Sequence, residues 1–187
     1  GLRELASTAL TDPAIAAHVV ELERFARVTR DAIVGLVARG GEVVITTRQA
    51  IVPWSSSRVD SGVPIIASAA DATSTCFATA ANDLVCLRDG RECWRAPLDR
   101  SPTRVAIAPD GSVVVGATDG SVQWFGSDGA RRATLSGHTR AVTALAFAAD
   151  GRLVSGGADR RVFVRTERGI GLEWTEPGEI TAIAVTG

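Results

Sequence analysis

Two stretches of this chain say nearly the same thing 40 residues apart, TRVAIAPDGSVVVGATDGSVQWF from Thr103 and AVTALAFAADGRLVSGGADRRVFVR from Ala141. The landmarks keep step, since Asp110-Gly111 recurs as Asp150-Gly151, Asp119 as Asp159 and Val122 as Val162. A fixed period of this size, filled with short β-type runs and turn dipeptides, means stacked copies of one supersecondary unit that cannot bury its apolar face alone. Four short strands fit in each period, which makes the chain all-β and each copy a propeller blade.

The second copy also carries a recognisable sequence. LSGHTRAVTALAFAADGRLVSGGADRRVFVR, Leu135 to Arg165, resembles a WD40 repeat, with Gly137-His138 opening it, an alternating strand following and Asp159 in the turn before the next strand. In that family a His, a Ser or Thr, an Asp and a Trp form a hydrogen-bonded set that pins loops to strands. The resemblance places this set on His138, Ser155 and Asp159. Its Trp is missing, because this copy has Arg165 there and the preceding copy Phe125, so a partial network is expected.

Looser copies precede these two, one from Phe77 to Leu87 before Asp89-Gly90 and one from Val43 to Thr47 with Ala50 to Trp54. Inner strands are expected at Ile33–Ala38, Pro64–Ala70, Thr103–Ala108 and Ala141–Phe147, where small and β-branched residues precede a turn. The blades thus fill residues 29–187, four to five of them. A further inner-type strand, Ile180 to Val185, comes without three partners of its own.

Residues 1–28 read in two ways. ITAIAVTG joined to GLRELAST imitates TALAFAADGRLVSGG, so this segment could supply closing strands to a ring of about five blades. Against that, Asp12-Pro13 is a helix start, Ile15, Val19, Leu22 and Ala26 recur at helical spacing, and Glu23 and Arg27 form an i,i+4 pair. A helical leader would leave the blades as an open part of a larger ring, and the lack of an initial Met agrees with a fragment.

Composition removes several function classes. None of the 20 basic residues is Lys, so this chain has no P-loop lysine, Schiff-base lysine or Ser-Lys nucleophile. There is no Tyr, and the two histidines are His18 and His138, the latter better read as a loop pin than as a catalyst. The Asp-Gly pairs at 89, 110, 128 and 150 are spaced as hairpin turns, not calcium loops. A formal net charge of −1 gives no global field for nucleic acid or an acidic membrane surface, and no apolar run reaches the length of a membrane span. No cofactor or metal is implied. The all-Arg composition suits a GC-rich, bacterial source.

Cys76, Cys86 and Cys93 fall in one repeat. Their odd number and lack of CxxC spacing argue against a disulfide framework and a zinc site. Buried, reduced cysteines in a cytoplasmic setting are expected, one incidental or redox-linked pair being the alternative.

What remains is a recognition surface. Arg140, in a loop between blades, and Arg160, in the turn between second and third strands, should emerge on one propeller face, with Arg161 and Asp119 nearby. Arg131-Arg132 and Arg160-Arg161 read either as solvated turns or as an electropositive patch for an acidic partner. Trp54 and Trp124 fall on third strands, where packing between blades explains them. Trp94 and Trp174 stand 80 apart on outermost strands beside charges, either as packing residues or as anchors for a partner. The expected function is a non-catalytic scaffold binding a protein or peptide partner, within a larger bacterial signalling or regulatory protein. The alternatives are a propeller enzyme with a site at the central channel and an open half-ring that self-associates.

Overall fold

The computed structural model describes residues 32–39, 42–53 and 59–185. The leader at 1–28, His18 and Trp54 lie outside the described residues. Sixteen strands form four antiparallel sheets. The first blade holds β1 (Ile33–Arg39), β2 (Glu42–Thr47), β3 (Ala50–Pro53) and β4 (Val59–Asp60). The second holds β5 (Ile65–Ala70), β6 (Ser74–Thr79), β7 (Asp83–Arg88) and β8 (Arg91–Pro97). The third holds β9 (Pro102–Ile107), β10 (Val113–Ala117), β11 (Val122–Phe125) and β12 (Arg131–Leu135). The fourth holds β13 (Val142–Phe147), β14 (Leu153–Gly157), β15 (Arg161–Thr166) and β16 (Gly169–Thr175). Each blade is a meander in chain order, and every inner strand begins and ends within one residue of its sequence-based expectation.

The core lies between blades rather than inside any one of them. Val113, Val115 and Phe125 of the third blade meet Cys76, Leu84, Cys86 and Leu98 of the second, while Val114, Val122 and Trp124 meet Val142 and Leu153 of the fourth. Val44 and Ile51 meet Ile65, Phe77 and Val85 in the same way. Successive residues of a strand point to opposite faces, so β10, sandwiched on both sides, must be apolar throughout, and Val113-Val114-Val115 satisfies this.

Every inner strand is interrupted at its second residue. Pairing shifts between Ile33 and Gly35, Ile65 and Ala67, Pro102 and Arg104, and Val142 and Ala144, which leaves Val34, Ile66, Thr103 and Thr143 as bulges. In the last two blades the bulged residue is Thr. Thr103 Oγ1 shares its donor between Gly116 O at 2.9 Å and Val142 O of the next blade at 2.6 Å. Thr143 Oγ1 does the same with Gly156 O at 3.2 Å and Ile180 O.

Ile180 therefore stands where Val142 stands one blade earlier. Gly116 is overlain by Val142 and Leu145, and Gly156 by Ile180 and Ile183, so close that a Cβ at either glycine would come within 2.6 Å of the covering side chain. The expected inner strand at Ile180 to Val185 is in position but is not paired into a sheet, because no second strand lies beside it among the described residues.

One sequence expectation is overturned. Cys76 and Cys86, expected to be reduced, form a disulfide, and Cys93 is exposed rather than buried. The turn at Ala80–Asn82 sets the register of β6 on β7 so that Cys76 and Cys86 stand directly opposite, with Cα atoms 4.1 Å apart. Among the described residues no helix is long and apolar enough to cross a membrane.

Candidate interaction surface

Each loop that connects one blade to the next returns over the turn between the second and third strands of a blade. Thr118 N donates to Ser101 O, Ala158 N to Ala141 O and Leu98 N to Asn82 O. Both sets of loops thus come out at one end of the sheets. Across the blade boundary, Gly120 packs against the His138 and Arg140 carbonyls at a φ of +88°, so tightly that a Cβ would lie 2.4 Å from His138 O.

His138 sits inside this layer with its side chain fully buried. Nδ1 lies 2.9 Å from Asp159 Oδ1 and Nε2 lies 3.1 Å from Ser155 Oγ. Burial, the largest influence, holds the imidazole below its ordinary value of 6.5, with Asp159 opposing. A neutral ring beside a carboxylate donates from Nδ1 and accepts the Ser155 hydroxyl at Nε2. Asp159 Oδ2 accepts Thr139 N at 2.9 Å and Oδ1 accepts Arg161 N at 3.2 Å. Burial opposes ionisation of Asp159, but the N–H donors of Thr139 and Arg161 together with His138 outweigh it and keep the carboxyl below its usual range. Gly157 leaves room for the pair, since a Cβ there would lie 2.5 Å from Asp159 Oδ1 and 2.6 Å from His138 Nδ1.

Arg165 fills the place of the missing Trp and is 1% exposed. Its guanidinium lies over Phe163, 4.4 Å from the ring centroid, and Nη1 donates to Ser136 O at 3.2 Å. Nε and Nη2 have no hydrogen-bond partner among the described residues, and burial depresses the guanidinium to about 10. Phe163 in turn meets His138 edge-on at 4.6 Å.

The structure brings four of the candidate partner-binding residues to this end. Arg140 pairs with Glu179 at 3.5 Å, Arg161 with Glu173 at 3.0 Å, and Asp119 with Arg100 at 2.8 Å. Arg160, at a φ of 68°, has no ion pair among the described residues. Arg131 and Arg132, expected in a turn, open strand β12, where Arg131 pairs with Asp99 and Arg132 with Glu167 at 3.9 Å, so both are neutralised locally. Exposed pairs of this kind contribute about 0–1 kcal/mol each and exchange partners readily.

The two outer tryptophans take different places, Trp174 opposite Val162 next to the loop end, where Glu176 N donates to Arg160 O, and Trp94 against the turn at residues 127–129 at the other end. Trp94 Nε1 donates to Ser127 O at 3.0 Å, and Gly129 at a φ of +83° lies flat on the indole, so Trp94 packs the second blade onto the third. Trp174 is 44% exposed and its Nε1 donates to Glu176. Their 80-residue spacing is not a structural equivalence. Trp94 stands opposite Cys86, the fourth residue of β7, and the residue opposite Val164, the fourth of β15, is Leu172.

Residues 129–165 match the family model described as "WD domain, G-beta repeat". That stretch is similar to a WD40 repeat, and the four sheets have a WD40-type β-propeller fold. The WD40 β-propeller domain of Doa1 is similar with a TM-score of 0.68 at 16% identity, over 81% of this chain and 56% of that one. The computationally designed Ika8 protein is similar with a TM-score of 0.70 at 22% identity, over 81% and 52%. A chain of the mitotic checkpoint complex is similar with a TM-score of 0.68 at 15% identity, over 76% and 49%. The chain thus spans about half the length of these solved structures. A search of curated proteins finds no match.

The WD40 reading of the sequence located His138, Ser155 and Asp159 but neither the burial of Arg165 nor the bulge threonines. The threonines had a signal, since Thr103 and Thr143 keep the 40-residue step together with Gly116 and Gly156. Arg165 was placed at the missing Trp's position, but its burial was not expected, because an arginine near a strand end ordinarily reads as solvated.

Proposed function

We propose that this WD40-type chain is a non-catalytic recognition module that binds a protein or peptide partner through the loop end bearing Arg140, Arg160, Arg161 and Asp119. The observation that carries the reading is the contrast at that end between a fixed base and an open rim. His138, Ser155 and Asp159 pin the loop before the fourth blade from beneath, while Arg140 and Glu179 above it are 66% and 60% exposed. A surface held in place before binding loses little conformational entropy on association, and exposed arginines can trade weak local pairs for a partner's carboxylates. WD40 propellers generally bind proteins, and one of the similar chains belongs to a protein complex. In this proposal the chain is the propeller part of a larger bacterial regulatory protein, a source supported by its all-Arg composition.

The test is affinity capture from the source cells, comparing the native chain with Arg140→Glu/Arg160→Glu and with Arg152→Glu at the opposite end. A protein recovered with the native chain and Arg152→Glu but lost with the double variant supports the reading. Equal recovery by all three removes it.

A second reading, self-association, is favoured by one specific observation. Leu172 and Trp174 on the outer strand of the fourth blade are 60% and 44% exposed, whereas their structural counterparts Ala133 and Leu135 pack against the third-to-fourth blade core. The face that each preceding blade buries against its successor is open here. Light scattering on native chain and Leu172→Glu/Trp174→Glu decides this reading, which requires a dimer that the double variant turns into a monomer.

A further inference from the structure

The second blade contains chemistry that a scaffold does not need. A cavity of about 500 Å³ between the second and third blades, at the end opposite the loop surface, is lined by Cys76, Cys86, Cys93 and Trp94. The first two are joined and nearly fully buried, and the third is free and exposed.

Cys93 lies at this cavity on a bulge of the outer strand. Trp94 stands opposite Cys86 and Glu92 opposite Leu87, which leaves Cys93 as an extra residue. The turn pairs Arg88 with Arg91 and Leu87 with Glu92, a register that leads Cys93 to Cys86, and the bulge gives the paired place to Trp94 while Cys93 stays beside Cys86 as the extra residue. From there Cys93 Sγ donates to the Cys86 carbonyl at 3.1 Å. The thiol is held against the residue that carries one half of the disulfide.

We propose that Cys76, Cys86 and Cys93 form a thiol–disulfide exchange site that moves the blade's cross-link between two hairpins. The Cys93 thiolate attacks Cys86 Sγ, the Cys86–Cys93 bond forms as the Cys76–Cys86 bond breaks, and Cys76 leaves as a thiolate that takes up the proton Cys93 released. One disulfide and one thiol are present before and after, so no oxidant or reductant is consumed. The cross-link passes from β6–β7 to β7–β8, and the free thiol from the outer strand to the middle of the sheet.

The experiment maps cross-links in the unreduced chain. After incubation under native conditions, exchange is stopped with acid, because the thiolate is the nucleophile, and free thiols are capped with excess N-ethylmaleimide in mildly acidic denaturant, which exposes the buried Cys76, before peptide mass spectrometry. The proposal expects two populations, one with Cys76–Cys86 joined and Cys93 capped, the other with Cys86–Cys93 joined and Cys76 capped. In Cys93→Ser, capping of Cys76 disappears. The proposal is overturned if Cys76 is never capped in the native chain, if all three cysteines are capped with no cross-link, or if Cys76 is capped equally in Cys93→Ser. A second variant, Cys76→Ser, should form the Cys86–Cys93 bond when treated with a small-molecule disulfide, and its failure to do so when folded also overturns the proposal.

Discussion

The imidazole of His138 has no contact with solvent, so a proton on it must be accommodated by the few groups around it. Its folded-state value lies below 6.5, so as pH falls the unfolded chain takes up this proton first. Stability should be level above about pH 6.5 and should decline as pH drops through the window beneath it. Asp159, held below 3.8, adds its own loss only at still lower pH. Urea midpoints measured across pH 5 to 7.5 test this, and His138→Gln should abolish the decline in that range. At neutral pH, Asp159→Ala should cost about 1–3 kcal/mol by leaving Thr139 N, Arg161 N and His138 Nδ1 without their acceptor. Arg165 predicts the opposite sign. With two of its three nitrogens lacking a hydrogen-bond partner among the described residues, Arg165→Met should leave the midpoint unchanged or raise it, by up to about 2 kcal/mol. A loss of that size would instead mean that the contacts with Phe163 and Ser136 outweigh the buried charge.

Between residue and blade, the bulge is the joint. A Thr at the bulge binds its own second strand and the next inner strand with one hydroxyl, so Thr103→Val should cost about 1 kcal/mol by urea unfolding. Gly120→Ala should cost on the order of 1–3 kcal/mol, because its φ and the His138 carbonyl both exclude a side chain. At this scale the sequence was highly legible. Strand order, inner-strand bounds and the turn position of Asp159 all followed from the 40-residue step, which records a geometry repeated in each blade. What it hid depended on register within a pair. The opposition of Cys76 and Cys86 and the bulge at Cys93 are set by one turn and one extra residue, neither of which alters the hydrophobic pattern. The same limit misaligned Trp94 with Trp174. The candidate surface was legible as a place, since loops of both kinds must emerge together, but its ion pairs were not, because Arg140 and Glu179 are brought together only by the path of the chain after the fourth blade.

For the molecule as a whole, the second and third blades each bury one face against their predecessor and one against their successor, and the fourth leaves the second of these open at Leu172 and Trp174. Ile180 and Ile183 cover Gly156 as an inner strand would, so what remains uncovered is the outer part of that face. The proposed interaction surface is centred on the loop end, and the two sites can be separated experimentally. Hydrogen exchange with a captured partner does this most directly. Protection gained at residues 98–101, 118–121, 136–141 and 158–161 is the result the account predicts. Protection confined to the opposite turns at 71–74, 108–112 and 150–152, or to Leu172 and Trp174 alone, would contradict it.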